Sequence, residues 1–485
     1  MSNDLLIGWG EVDITPKTDK FISLNGQYYE RLTKKIHSRL KLTAVAFSSG
    51  KEHFLTASMD NVGMDQKFHD LIRKEVVKME PEINPKNIFI NAIHSHSAPS
   101  AKVQVKKNAA WRDQKHDDVL SANEYIEFVT PLVTRAFVDA WHSRQPGGIA
   151  SALGSARVGH CRRAVYSTGK AEMYGDTTRR DFIGMEAGED SGVEMLFTYN
   201  AEGKRTGMLL NVACPSQTME STYQISSDFA GATRELLKEE YGEDFHTIYQ
   251  ISPAGCQSPR DLVRHYTTGP DFWHADGVAC IADRLLNAVR AAKTNAIDYA
   301  PKFVVKSQLV TLPRRRASYE DYVNTKAELA RLIAIQPEKE AFEAFCAETH
   351  ANEKIDGHGP YDSKLHHFVQ IKNAQAVLYR YEDQDEMPNI HFDMSVVRLG
   401  DLAIATNPFE LYLYYGQNIK ARSLAKQTFL VQLAIGADIP VGYLPSPEAE
   451  KFGGYGGCII NGEVGSDGGY KLADTTVEAI NELFK

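Results

Sequence analysis

The segment Asn91-Ala92-Ile93-His94-Ser95-His96-Ser97-Ala98-Pro99 sets two histidines two residues apart, directly after the apolar run Ile88-Phe89-Ile90. If that run continues as a strand, residues i and i+2 share a face. Both imidazoles then converge at the strand's C-terminal end, where open α/β sheets keep their chemistry. Imidazole suits zinc, copper, iron and nickel, so a metal centre is the first chemistry this spacing offers. The same two histidines are equally readable as polar loop residues, because an H-x-H pair recurs by chance. Other reactive residue types also follow apolar runs: Cys214-Pro215-Ser216, Gly255-Cys256-Gln257-Ser258-Pro259 and Pro408-Phe409-Glu410. In a sheet of parallel character such loops gather at one edge.

The elements that must hold these loops are legible from periodicity. Leu42–Phe47 and Phe54–Ser58 read as a strand pair about a turn at 48–51, and 65–80 carries apolar residues at helical spacing. The histidine strand comes next, giving strand, helix, strand. Further helices are expected over 123–142, 228–240 and 272–293, and strands over 194–200, 206–213, 247–251 and 395–406. A helix runs from the Pro408 region to about 423, and the Gly-rich tail ends in a helix over 473–484. The segment 313–388, rich in Glu, Lys and Ala, reads as a helical insertion within one domain spanning 1–485. Its opening run Arg314-Arg315-Arg316 reads as a solvated face. No internal repeat is visible. The fold class is α/β, a mixed sheet core with surrounding helices.

Composition narrows the partners. A chain of 485 residues with 43% hydrophobic and 24% charged residues is of ordinary globular make-up. Its net charge of −9 speaks against nucleic acid and anionic membranes. The first ten residues lack a basic n-region, and no apolar stretch reaches transmembrane length. The expectation is a cytoplasmic protein without a stable membrane anchor, whose 6 irregularly spaced cysteines are thiols. A homo-oligomer is left open.

Taken in order, these motifs resemble those of the neutral/alkaline (non-lysosomal) ceramidase family. The resemblance runs from Gly8-Trp9-Gly10-Glu11-Val12-Asp13-Ile14-Thr15-Pro16 to Tyr455. Ile93–Pro99 is similar to the family's T-H-T-H-S-G-P, Gly255–Pro259 to its G-D-x-S-P, and Pro408-Phe409-Glu410 to its P-G-E. Tyr443 and Tyr455 keep the family's tyrosine spacing. The resemblance implies a Zn2+-dependent amidase. On it, His94, Glu410 and Tyr443 match metal ligands, and His96 matches a residue contacting substrate and reacting water. Arg162 and Tyr455 match groups near the carbonyl oxygen, and Ser258 a residue beside the metal.

The chain also departs from the family. Cys214-Pro215 stands where the family has a zinc-binding histidine before proline, and Cys256 stands in place of an aspartate. Thiolate is a good zinc ligand, so Cys214 is expected to complete the set, or else to be a small buried residue. His37, His160, His265 and His274 are the spare histidines, with His37 the best placed of them. The chain ends soon after Tyr455, without the family's C-terminal sandwich-like domain, so the expected substrate is soluble and not ceramide.

The expected mechanism is attack by zinc-activated water on an amide or related acyl carbon. His96 moves protons, and zinc, Arg162 and Tyr455 hold the oxyanion. Two other readings stay open. One is a carbohydrate-active metal-dependent hydrolase or lyase with a sugar-like ligand, for which Trp111, Tyr166 and Trp273-His274 are the loop aromatics. The other is a metal-dead binding protein. The partner in each is a small-molecule, oligosaccharide or acyl-amide ligand.

Overall fold

A computed structural model of the chain describes residues 4–25, 31–102, 118–264, 272–352 and 365–485. Its main sheet has eight strands: β1 (Leu6–Asp13), β2 (Lys41–Ser49), β3 (Glu52–Met59), β4 (Ile88–Ala92), β5 (Gln145–Ser155), β6 (Gly192–Asn200), β7 (Arg205–Val212) and β8 (His246–Ile251). Their order is β8-β7-β6-β5-β1-β2-β3-β4. Pairing is antiparallel except for β3 with β4 and β7 with β8. A second sheet joins β9 (Phe303–Pro313), β10 (Asn389–Leu399), β11 (Leu402–Thr406) and β12 (Gln427–Val431) in sequential order, with β11 and β12 parallel. The architecture is mixed α/β, as the hydrophobic patterning leads one to expect.

Helices α1 (Gln66–Met79) and α2 (Ala122–His142) pack on the β1–β4 half through Phe68, Ile72, Val129 and Phe137, all fully buried. Asp65 caps α1 by accepting from Phe68 N, and Ser121 with Glu124 forms a capping box on α2. Gly10 lets β1 approach α2, since a Cβ there would lie 2.1 Å from the Ala136 carbonyl. Helices α3 (Asp228–Tyr241) and α4 (His274–Ala291) cover the other half.

One unit occurs three times. An antiparallel hairpin runs into a helix and then into a strand parallel to the hairpin's second member. The units are β2-β3-α1-β4, β6-β7-α3-β8 and β10-β11-α8-β12, with α8 spanning Leu413–Arg422. Their C-terminal ends are stitched together. Ser216 N donates to the Ile93 carbonyl, Ala92 N to Leu433, and Gln432 N to Ile251. Loops from all three units therefore meet at one place. The repetition is invisible in the sequence because it lies in pairing direction and not in residue identity.

Four expectations need correction. The strand stops at Ala92, so His94 and His96 sit in the loop beyond it, with His94 in the left-handed region at φ 65°. The strand expected over 395–406 is two antiparallel strands turning at Gly400, and the final helix, expected over 473–484, is Ser466–Phe484. Arg314 is no solvated face. It is 7% exposed and pairs with Glu463 (2.6 Å) and Asp383 (3.0 Å). Those bonds anchor the base of α5 (Tyr319–Ile335), α6 (Glu338–Asn352) and α7 (His367–Asp383), which pack on one another through Leu332, Phe345, Phe368 and Ile371. Among the described residues no helix is long and apolar enough to cross a membrane.

Candidate functional site

At the meeting point lies a cavity of about 480 Å3. His94, His96, Glu410, Tyr443 and Tyr455 line it, together with the apolar Leu433, Ile435 and Val441. Lys67, Lys102, Asp65 and Asp438 also border it.

Each polar group is placed by its unit. His94 follows β4, and its Nδ1 lies 2.8 Å from the Val62 carbonyl in the loop after β3. A carbonyl only accepts, so Nδ1 carries the hydrogen. Burial lowers the His94 pKa from the ordinary histidine value, against the opposing pull of Glu410 and the Val62 carbonyl. The neutral ring then presents Nε2 as an acceptor, 3.6 Å from Glu410 Oε2. Glu410 follows β11 and pairs in parallel register with Tyr443, which follows β12. Gly255 allows the loop after β8 to close on this pair, because a Cβ there would lie 2.3 Å from the Glu410 carbonyl.

Arg162 is 1% exposed and donates to the Tyr443 hydroxyl (3.2 Å) and to the Gly255 carbonyl (3.1 Å). Its guanidinium also lies 3.9 Å from Glu410. The Tyr443 and Tyr455 rings meet edge-on at 5.7 Å, and Arg163 donates to the Tyr455 backbone carbonyl. His96 packs edge-on against His94 at 4.8 Å, with its Nδ1 3.3 Å from Glu220. Ser258 is fully buried behind this layer and accepts from the Tyr174 hydroxyl (3.1 Å) and from Arg260 N (3.1 Å).

The loops thus bring together His94, His96, Glu410, Tyr443, Tyr455 and Arg162, with Ser258 behind them. Cys214 is not among them. It is fully buried in the apolar cluster with Ile93, Val158 and Met219. Its thiol donates to the Val158 carbonyl (3.2 Å), and burial pushes its pKa far up, with Asp228 adding to the rise. His37 is exposed beside Ser226, His160 pairs with Glu189 (3.0 Å) and His274 meets Ser221 (3.1 Å). Tyr166 and Trp273 are buried, while Trp111 and His265 lie outside the described residues. Sequence reasoning missed Glu220 and Tyr174, which have no neighbouring motif to mark them.

No family model matches this sequence, and no curated protein matches it. Among solved structures, the chain is similar to the neutral ceramidase from Pseudomonas aeruginosa, with a TM-score of 0.66 at 15% identity, covering 100% of this chain and 75% of that one. A ceramidase complexed with C2 matches with a TM-score of 0.68 at 14% identity, covering 100% and 76%. The fold is that of neutral ceramidase. The resemblance read from the motif order holds at the level of the fold, at low identity.

The ceramidase fold comes here without the metal site that the motifs led one to expect. Among the described residues, no group of three or more His, Cys, Asp and Glu side chains is placed to hold a metal ion. A catalytic zinc takes three protein ligands. Of the His, Cys and Glu members of the expected set only His94 and Glu410 come together, because the Cys214 thiol turns into the core. The Tyr443 hydroxyl is already engaged by Arg162. The zinc-dependent hydrolase or amidase, with Zn2+ as cofactor and Cys214 as ligand, is therefore overturned. So is the metal-dependent form of the carbohydrate-active reading.

Proposed function

We propose that this protein is a metal-free binding protein for a small polyhydroxylated, sugar-like molecule. One observation carries the reading. The His94 Nδ1–H is committed to the Val62 carbonyl, which leaves the Nε2 acceptor beside the Glu410 carboxylate, 3.6 Å away. Two adjacent acceptors need donors between them, and ligand hydroxyls supply these. The Tyr443 and Tyr455 rings and the apolar Leu433, Ile435 and Val441 suit the C–H faces of such a ligand. The charges around the cavity are mixed, Lys67 and Lys102 against Asp65, Asp438 and Glu410, which matches a neutral ligand better than a strongly charged one. The cavity's size is that of ordinary small-molecule sites.

In this reading His94, Glu410 and Tyr455 touch the ligand. Arg162 fixes the Tyr443 hydroxyl, and Ser258 supports the layer behind His96. The test is calorimetric titration of protein dialysed against a chelator, using glucose, N-acetylglucosamine, glucuronate and a short acyl-amide. At least one sugar is expected to bind equally well with and without the chelator. Glu410→Gln exchanges a charged acceptor for an amide and should weaken that binding about 10- to 100-fold, the value of one charge-assisted hydrogen bond. Binding that needs added zinc, or turnover of the acyl-amide, would overturn the reading.

A further inference from the structure

We infer that Glu220 is the positioning residue of the histidine pair, acting through His96 to hold the acceptor face of the cavity in place. The inference rests on the sugar-binding reading above and deepens it. Glu220 is a carboxylate with no solvent exposure. One oxygen lies 3.3 Å from His96 Nδ1. The other accepts from Gln217 Nε2 (3.3 Å) and lies 3.3 Å from the Tyr174 hydroxyl. That hydroxyl in turn accepts from Gln217 (2.9 Å) and faces Ser258 Oγ (3.1 Å). A buried carboxylate is costly unless polar groups meet it on several sides; here Gln217 donates to one oxygen and the His96 ring stands within ion-pair distance of the other.

The turn that carries Glu220 also holds the His96 backbone. Arg31 is fully buried, donates to the His96 carbonyl and donates to the Thr222 carbonyl (2.7 Å), two residues beyond Glu220. The ring and the main chain of His96 are therefore tied to one segment of the loop after β7. His96 then bears edge-on against His94 at 4.8 Å. A carboxylate only accepts, so Glu220 selects the ring orientation that points Nδ1–H toward it. With His96 fixed, His94 has one side closed and keeps Nε2 toward Glu410. The arrangement follows the general rule that groups behind a binding residue set its tautomer and angle. Glu220 does not itself line the cavity. Its effect is on geometry, so it should alter affinity without altering which face of the cavity is used.

The test uses the full-length protein and two readouts. Nitrogen-15 NMR of the imidazole nitrogens reports whether His96 carries its hydrogen on Nδ1, and titration with N-acetylglucosamine and glucose reports binding. In the wild type, His96 should show a hydrogen on Nδ1. Glu220→Gln should give His96 a mixed or altered nitrogen signature and weaken sugar binding at least tenfold. Glu220→Asp should restore the signature and part of the affinity, which a merely structural role would not require. Tyr174→Phe keeps the carboxylate and removes one of its partners. It should shift the His96 signature less and weaken binding only two- to fivefold, and it serves if Glu220→Gln does not fold. An unchanged His96 signature in folded Glu220→Gln or Tyr174→Phe overturns the inference, whatever the sugars do. Wild-type protein that binds none of glucose, N-acetylglucosamine and glucuronate, yet shows the expected signatures, overturns the sugar reading and leaves Glu220's positioning role standing.

Discussion

At the scale of single residues, Cys214 separates two chemistries. A third ligand beside His94 and Glu410 would require a thiol that faces the cavity. The thiol instead donates to the Val158 carbonyl, packed beside Ile93 and Met219. Buried cysteine then behaves as a small hydrophobe with a weak donor. Cys214→Ala should cost about 1 kcal/mol of stability, read as a small drop in melting temperature. It should leave sugar binding and its indifference to chelators unchanged. A variant that folds but loses binding would return Cys214 to the site. His94 and Glu410 were legible as candidate site residues from their motifs, and both line the cavity. Glu220 was not, because a lone Glu in Gln217-Thr218-Met219-Glu220 carries no pattern, and its importance comes from what surrounds it in space.

At the scale of elements, the fold is held where charged side chains tie distant segments together. Arg314 joins the start of the 313–388 segment to Asp383 at the end of α7 and to Glu463 beyond α9 (Pro447–Phe452). Arg380 donates to the same Glu463, and Arg315 to the Gly457 carbonyl. The stretch just after Tyr455 is thus gripped from the helical segment, and Arg163 holds Tyr455 from the other side. Arg314→Met leaves two carboxylates short of a partner. It should lower unfolding free energy by about 2 kcal/mol, less than a fully buried pair because Asp383 is partly exposed. Urea denaturation reads this directly, and a midpoint equal to wild type would show that the bridges do not hold the segment. Composition marked this segment as helical without placing its helices, and the arginine run looked like a surface because ion pairing across 149 positions is absent from any local window.

At the scale of the whole molecule, a buried charge links the two sheets' layers. Glu194 on β6 lies 3.2 Å from Lys420 on α8, which also reaches Asp190. Burial pushes the Glu194 pKa up to about 7, against the pull of Lys420. A carboxyl whose folded pKa exceeds its unfolded value favours folding most while protonated. Its contribution is full below about pH 4.5 and is lost as pH rises toward 7. Glu194→Gln should remove this decline, so that the melting temperatures of mutant and wild type diverge between those values. Parallel curves across that range would show that Glu194 titrates normally.

The sequence by itself determined the succession of strands and helices, the order of the five motifs and hence the ceramidase-like fold. Apolar spacing and loop residues act locally and are read locally. Only the tertiary structure decided that three similar units join at their C-terminal ends, that the thiol after β7 turns inward, and that a carboxylate from the same loop comes to rest beneath His96. Those outcomes depend on the directions in which side chains leave loops, and packing between distant segments sets them.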